Sequence, residues 1–279
     1  MIKKYGKNNI TLKDSSGFSN TTTTSVLYDF TSINDFVSYI NNSPLQVSDP
    51  HSVWEGGSRT SFTGTRTFKD ALDLMAKGWE EGANKIEKGL KEVLKSESTH
   101  ISTRQRSVYD VIGGNASVPR YLQGVPTNMI RQVRQPVKEK IVDVNIDICF
   151  PSSTTQEEMI QNCIAQLQKV VNLENSGVRT NVYVCRMGAD SDVSELIRIC
   201  VKKSTERLNV LKIAFPCAHP SMLRRLIFAC EERSTDLPKN WCNGYGTVIK
   251  VDRIINGKSN IQAFLENATS LTKTTKEAV

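Results

Sequence analysis

The sequence predicts an α/β protein: a three-layer domain with a mostly parallel sheet over residues 140–279, preceded by a helical N-terminal region. Three observations carry that reading. Residues 140–150, KIVDVNIDICF, alternate Ile141, Asp143, Asn145 and Asp147 with Val142, Val144, Ile146 and Ile148, the period of a strand. The following STTQEEMIQNCIAQLQKVVNLENSG spaces Met159, Ile160, Cys163, Ile164, Leu167, Val170 and Val171 along one helix face, with acids in its first turn and Gly177 at its end. From there strands and helices keep exchanging, in the order β-α-β-β-α-α-β-α, the pattern of a sheet covered by helices.

The remaining elements follow from the same arithmetic. Residues 1–25, ending in SGFSNTTTTS, show no apolar period and are expected to form a flexible arm. Residues 26–100 form the helical region. In INDFVSYINN, Ile33, Phe36, Val37 and Ile40 recur at helical spacing behind Thr31 or Ser32 as N-cap, and Pro44 ends the helix. Thr67 and Asp70 have the spacing of a capping box, and Leu72, Met75, Trp79, Ala83, Ile86, Leu90 and Leu94 mark the stripe that follows. Glycines at 78, 82 and 89 predict a break near GWEEG. In the second half, VRTNVYVCRM and SELIRICVKKS are strands separated by too few residues for a helical crossover, so they are expected to pair antiparallel. TERLNVLKIAF and HPSMLRRLIFACEER are helices, with Pro220 suited to the first turn of the second. GYGTVIKVDR is a strand and NIQAFLENA a closing helix.

Between the two halves, residues 101–139 read as a basic Pro/Gly strap. The whole chain carries 36 Lys and Arg against 29 Asp and Glu, and this short stretch concentrates the imbalance: between 101 and 140, seven basic residues face two acidic ones, a local +5. Pro119, Pro126 and Pro136 favour extended backbone, and Val118, Leu122, Val125, Met129 and Ile130 need something to pack on. Arg120 beside Tyr121, then Arg131 and Arg134, are the candidate binding residues. Arginines suit phosphates and a tyrosine ring suits a stacked base, whereas the apolar residues suit packing on the rest of the chain or on another protein.

Other chemistries find little support. All seven cysteines lie between Cys149 and Cys242, in apolar surroundings without a close pair, which predicts buried free thiols rather than disulfides or zinc ligands. The start, MIKKYGKNNI, has lysines but no apolar run behind them. No apolar segment of about 18 residues occurs, so neither a secretion signal nor a membrane span is expected. GGSRTSFTGTRT precedes a helix but lacks the lysine spacing of a phosphate loop. His51 and His100 sit in polar stretches and are expected to be solvated. His219, in FPCAHPS near Cys217 and Ser221, is better placed to cap a helix than to serve a nucleophile. Asp143 and Asp147 share a strand face, and Asp190 and Asp192 occupy a turn, with no nucleotide motif beside them. No catalytic residue, cofactor or metal ligand is assigned.

Three stretches, FTGTRTFKDALDLMAKGWEEG, SVYDVIGGNASVPRYLQGVPTNMI and RLNVLKIAFPCAHPSMLRRLIF, resemble an uncharacterised family of bacteriophage and prophage proteins, a likeness that covers residues from about 28 to 250. It implies a phage origin, with the protein in the host bacterial cytoplasm or built into a virion, and implies nothing about mechanism. Separately, the short connection between two strands after the first strand and helix is similar to a von Willebrand factor A domain, a Rossmann-like architecture. In that family a D-x-S-x-S loop holds a metal. The corresponding residues here are Asp147, Cys149 and Pro151, so both serines are replaced and the resemblance implies a degenerate site.

The expected function is therefore non-enzymatic: binding or assembly with another copy, with a phage or host protein, or with nucleic acid. The alternatives are a nucleotide- or metal-dependent enzyme working at the carboxyl ends of the strands, where open α/β sheets place ligands, and a structural component of a virion.

Overall fold

The computed structural model describes residues 2–6, 9–14, 16–55, 60, 62–96, 105–134, 140–238, 240–255 and 257–274. Four strands come first: β1 (Ile2–Gly6), β2 (Ile10–Lys13), β3 (Ser19–Thr22) and β4 (Thr24–Phe30). Helix α1 (Ile33–Asn42) starts where the Ser32 hydroxyl accepts the Asp35 N–H at 3.2 Å. In α2 (Phe68–Lys77) Thr67 and Asp70 exchange hydrogen bonds as a capping box. Gly78, at φ +93°, then stops that helix as expected, because few residues with a Cβ adopt such a backbone. After α3 (Glu80–Ser96) come β5 (Gln105–Asp110), β6 (Asn115–Ala116), the one-turn helix α4 (Val118–Leu122) and β7 (Met129–Arg134).

The alternating stretch forms β8 (Ile141–Asp147), and α5 (Gln156–Asn175) follows behind a second capping box, Thr155 with Glu158. Next are β9 (Arg179–Asp190), β10 (Val193–Lys202) and α6 (Val210–Ala218). A π-helical turn, Met222–Ile227, leads into α7 (Phe228–Glu231). Strand β11 (Thr247–Val248) is much shorter than GYGTVIKVDR suggests, and α8 (Asn260–Thr274) is the closing helix.

The main sheet runs β1-β4-β10-β9, with β8 alongside the first part of β9 and β11 alongside its end. β1 with β4, β9 with β10, and β11 with β9 are antiparallel, whereas β4 with β10 and β8 with β9 are parallel. The sheet is therefore mixed rather than mostly parallel. Two causes account for this. The link between β9 and β10 is a two-residue turn through Ser191, at φ +48°, which forces antiparallel pairing as expected. The second cause is β1, which pairs antiparallel with β4; β4 lies beside β10 and comes from a part of the chain read as the border between arm and helical region. Residues 2–6, 10–13 and 19–22, inside the expected flexible arm, are also strands.

Alternation along the strands gives the sheet two apolar faces. Val26, Tyr28, Phe30, Val182, Val184, Ile197 and Ile199 join residues of α1, α2, α3, α5 and α6 in one cluster. Leu27, Cys185, Met187 and Leu196 point the other way and join Ile261 and Phe264 of α8. Residues from both sides of position 140 thus share a single core. All seven cysteines are free and buried, as expected. Among the described residues no helix is long and apolar enough to cross a membrane.

Candidate functional site

The four residues proposed from the sequence fall on one substructure. β5, β7 and β6 form a three-stranded antiparallel sheet in which Gln105 pairs with Arg134 and Asp110 with Met129. The stretch expected as a strap instead folds back on itself, since Asn115 and Ala116 pair with the same strand and α4 fills the loop between. Arg120 and Tyr121 lie on α4, and Arg131 and Arg134 on β7. The Arg120 guanidinium covers the Tyr109 ring, 4.2 Å from its centre, and Arg131 lies 3.3 Å from the Asp110 carboxylate. Tyr121 is 67% exposed. The Arg134 side chain is outside the described residues.

From 107 to 132 no residue is buried, although Tyr109, Val111, Ile112, Val118, Tyr121 and Leu122 are 53–78% exposed. The backbone bonds that organise this arm stay within the segment, such as Ser117 N–H to the Asn128 carbonyl at 2.7 Å and Gly114 N–H to the Ile130 carbonyl at 3.0 Å. Small sheets of this kind are marginal in water without a layer to pack on.

The residues weighed for catalysis have other engagements. His219 is buried between Trp79 and Phe215, with ring centres 4.9 Å from each, and its Nδ1 accepts the Ser221 N–H at 3.2 Å. Burial lowers its pKa to about 4, so the ring is neutral and serves as the cap the sequence suggested. Cys217 is buried too, and its thiol is held well above the usual range, first by its contact with Cys163 and then by burial. Asp143 pairs with Arg198 at 2.5 Å and accepts from Asn181 at 2.8 Å. Asp147 accepts the Cys149 N–H at 2.8 Å and lies 3.4 Å from the Lys250 ammonium. Among the described residues, no group of three or more His, Cys, Asp or Glu is arranged to hold a metal ion.

A second feature escaped the sequence reading. The π-helical turn places Arg224 and Arg225, 4% and 1% exposed, against the loop that follows α1. Arg225 donates to the carbonyls of Ser52, Trp54, Thr65 and Arg66. Arg224 donates to those of Phe62 and Pro151. Beside them opens a cavity of about 430 Å³. His51, expected to be solvated, instead stacks on Trp54 at 3.8 Å within its wall. Tyr245, in the left-handed region at φ +57°, lies flat on Phe228 at 3.7 Å.

The cavity wall is braced from behind. The Tyr245 hydroxyl donates to Glu232 at 2.7 Å, Glu232 accepts from Ser52 N–H at 2.9 Å, and the Tyr245 carbonyl accepts from Arg186. Arg186 in turn donates to Glu195 at 2.7 Å and lies 2.5 Å from Glu231, all three buried. Burial outweighs the attraction of Arg186 and pushes both carboxyls up, Glu231 well above the usual range. One guanidinium therefore serves two buried carboxyl groups, whose titrations are coupled. The only sequence signals were two short aromatic stretches, HSVW and GYG, far apart in the chain.

Residues 9–277 fit the family model described as a domain of unknown function (DUF7192). The chain belongs to that family. No curated protein and no solved structure matches it.

Proposed function

We propose that this member of the DUF7192 family acts by binding and assembly rather than by catalysis, and that the arm over 105–134 docks on a protein partner. The observation that carries the reading is the absence of any buried residue from 107 to 132 despite six large, exposed apolar side chains. A second copy of the chain or a phage or host protein would cover them; the phage assignment rests on the sequence resemblance alone. The open edge of β5 offers a row of backbone groups for strand addition, and the apolar side chains beside it supply area. The engagement of Asp143, Asp147 and His219 within the fold weighs against the enzyme alternative.

Nucleic acid is the second reading, and the arginines favour it less than the sequence did. Arg131 already faces Asp110, and Arg120 lies on Tyr109. If phosphates were contacted, affinity for single-stranded DNA would fall steeply with salt, about 0.7 counterions per contact, and an Arg120→Gln, Arg131→Gln, Arg134→Gln variant would flatten that slope.

The direct test is sedimentation velocity of the parent chain and of an Ile112→Ser, Tyr121→Ser, Leu122→Ser variant. All three positions are exposed, so the fold is expected to survive with an unchanged melting temperature. Self-assembly predicts a parent heavier than the 31.1 kDa chain and a variant at that mass. A parent that remains monomeric up to its solubility limit rejects the second copy as occupant.

A further inference from the structure

The arm leaves unexplained the most unusual local structure in the molecule, which lies elsewhere. A π-helical turn, the buried Arg224 that it carries and a tyrosine with positive φ meet at one cavity. π-turns and strained backbone both concentrate at ligand sites, because each costs stability that the surrounding structure must offset. Here the offset is visible in the hydrogen bonds that hold Tyr245 from both ends.

The chemistry of the cavity is specific. His51, Trp54, Phe62, Phe228 and Tyr245 give it an aromatic wall, and the Arg224 guanidinium lies over the Phe62 ring at 4.3 Å. Among the described residues Arg224, which lines the cavity, makes no ion pair; the carbonyl oxygens of Phe62 and Pro151 accept from it. Carbonyl dipoles satisfy N–H donors but do not neutralise charge. Arg224 therefore presents to the cavity a positive charge that an anion would complete, inside a site partly screened from water. On the far side of His51 and Asn243 a second cavity of about 230 Å³ presents Ser48 and Asp49, polar groups suited to hydroxyls or a ring edge.

We propose that this cavity binds a small planar aromatic anion, of the size of a nucleoside monophosphate, with its ring against the aromatic wall and its anionic group toward Arg224. The volume lies in the usual range for small-ligand sites, and aromatic lining with a few convergent polar groups is their usual composition. Stacking recognises the ring, and the guanidinium recognises a phosphate or a carboxylate.

Two ligand sources share this chemistry, nucleotides and aromatic carboxylic acids, and titration separates them. The probes are adenosine 5′-monophosphate and uridine 5′-monophosphate, with adenosine lacking the charge, ribose 5-phosphate lacking the ring, and indole-3-carboxylate as the non-nucleotide anion. Binding is read by calorimetry and by quenching of tryptophan fluorescence. The expected result is saturable binding of a nucleotide or of indole-3-carboxylate, with adenosine and ribose 5-phosphate each weaker by about tenfold or more. The better of the two classes names the source.

Arg224→Lys keeps the charge but not the fork, and it also disturbs the bonds to Phe62 and Pro151, so Phe228→Leu is made in parallel. Each is expected to weaken binding about tenfold at an intact circular dichroism spectrum. No binding by any charged ring overturns the proposal. So does binding that Phe228→Leu leaves unchanged, or ribose 5-phosphate binding as tightly as the nucleotides.

Discussion

His219 shows how far a residue's neighbours decide its chemistry. Capping a helix and serving a nucleophile were both open to a histidine between two prolines, and its burial between an edge-on Trp79 and a stacked Phe215 selects the less reactive role. The physical consequence is a pH dependence. In the unfolded chain the imidazole titrates near 6.5, whereas in the fold burial lowers it to about 4. Between those values the unfolded state binds more protons, so stability is fully present above pH 6.5 and is lost as the pH falls toward 4. The shift is worth about 3 kcal/mol at most. Urea denaturation of the parent and of His219→Gln at pH 7, 5.5 and 4.5 isolates this contribution, since the Glu195 and Glu231 carboxyls titrate in both. The parent is expected to lose stability more steeply with acid than the variant; parallel profiles would show a ring that titrates in the fold as it does in the unfolded chain. Residue types alone could not show this. The packing partners decide it: Trp54, 3 residues from His51, belongs to a cavity wall, whereas Trp79, 140 residues from His219, belongs to the core.

Elements with local signals were legible, and elements defined by distant partners were not. The Thr67–Asp70 capping box, the Ser32 cap, the Gly78 break and the antiparallel β9–β10 pair follow from residues within a few positions of one another. β4 was missed because TSVLYDF is buried on both faces and has no alternation to read. The π-helical turn was missed because its sequence, MLRRLI, has ordinary helical spacing; the two arginines reach carbonyls more than 150 residues away. At the α2–α3 junction the local signals have unequal weight. Thr67→Ala removes one cap and is expected to cost about 1 kcal/mol. Gly78→Ala must hold an alanine at φ +93° with its Cβ 2.7 Å from Leu211 Cγ, and is expected to cost about 2–3 kcal/mol. Chemical denaturation of the two variants checks the order; a Gly78→Ala loss below that of Thr67→Ala would mean that the junction adjusts freely.

At the scale of the whole molecule, the chain divides by burial and not by position along the sequence. The expected boundary near 140 passes through a shared core, because β4 lies between β1 and β10 and places Val26, Leu27, Tyr28 and Phe30 at 0–3% exposure. At about 1.5–3 kcal/mol each, those four side chains account for about 6–12 kcal/mol, comparable with the entire stability of a typical domain. Removing residues 1–31 is therefore expected to abolish cooperative unfolding. The arm is the opposite case. Gln105 and Arg134 face each other across adjacent strands, about 5 Å apart, so a short glycine-serine loop can replace everything between them. No residue from 107 to 132 is buried, so that excision is expected to shift stability by less than about 1 kcal/mol while eliminating partner binding. Thermal unfolding followed by circular dichroism compares the two deletions on one scale. A cooperative transition without residues 1–31 would restore an independent C-terminal domain, and a collapse on excising the arm would show that its apolar residues pack against the chain's own core.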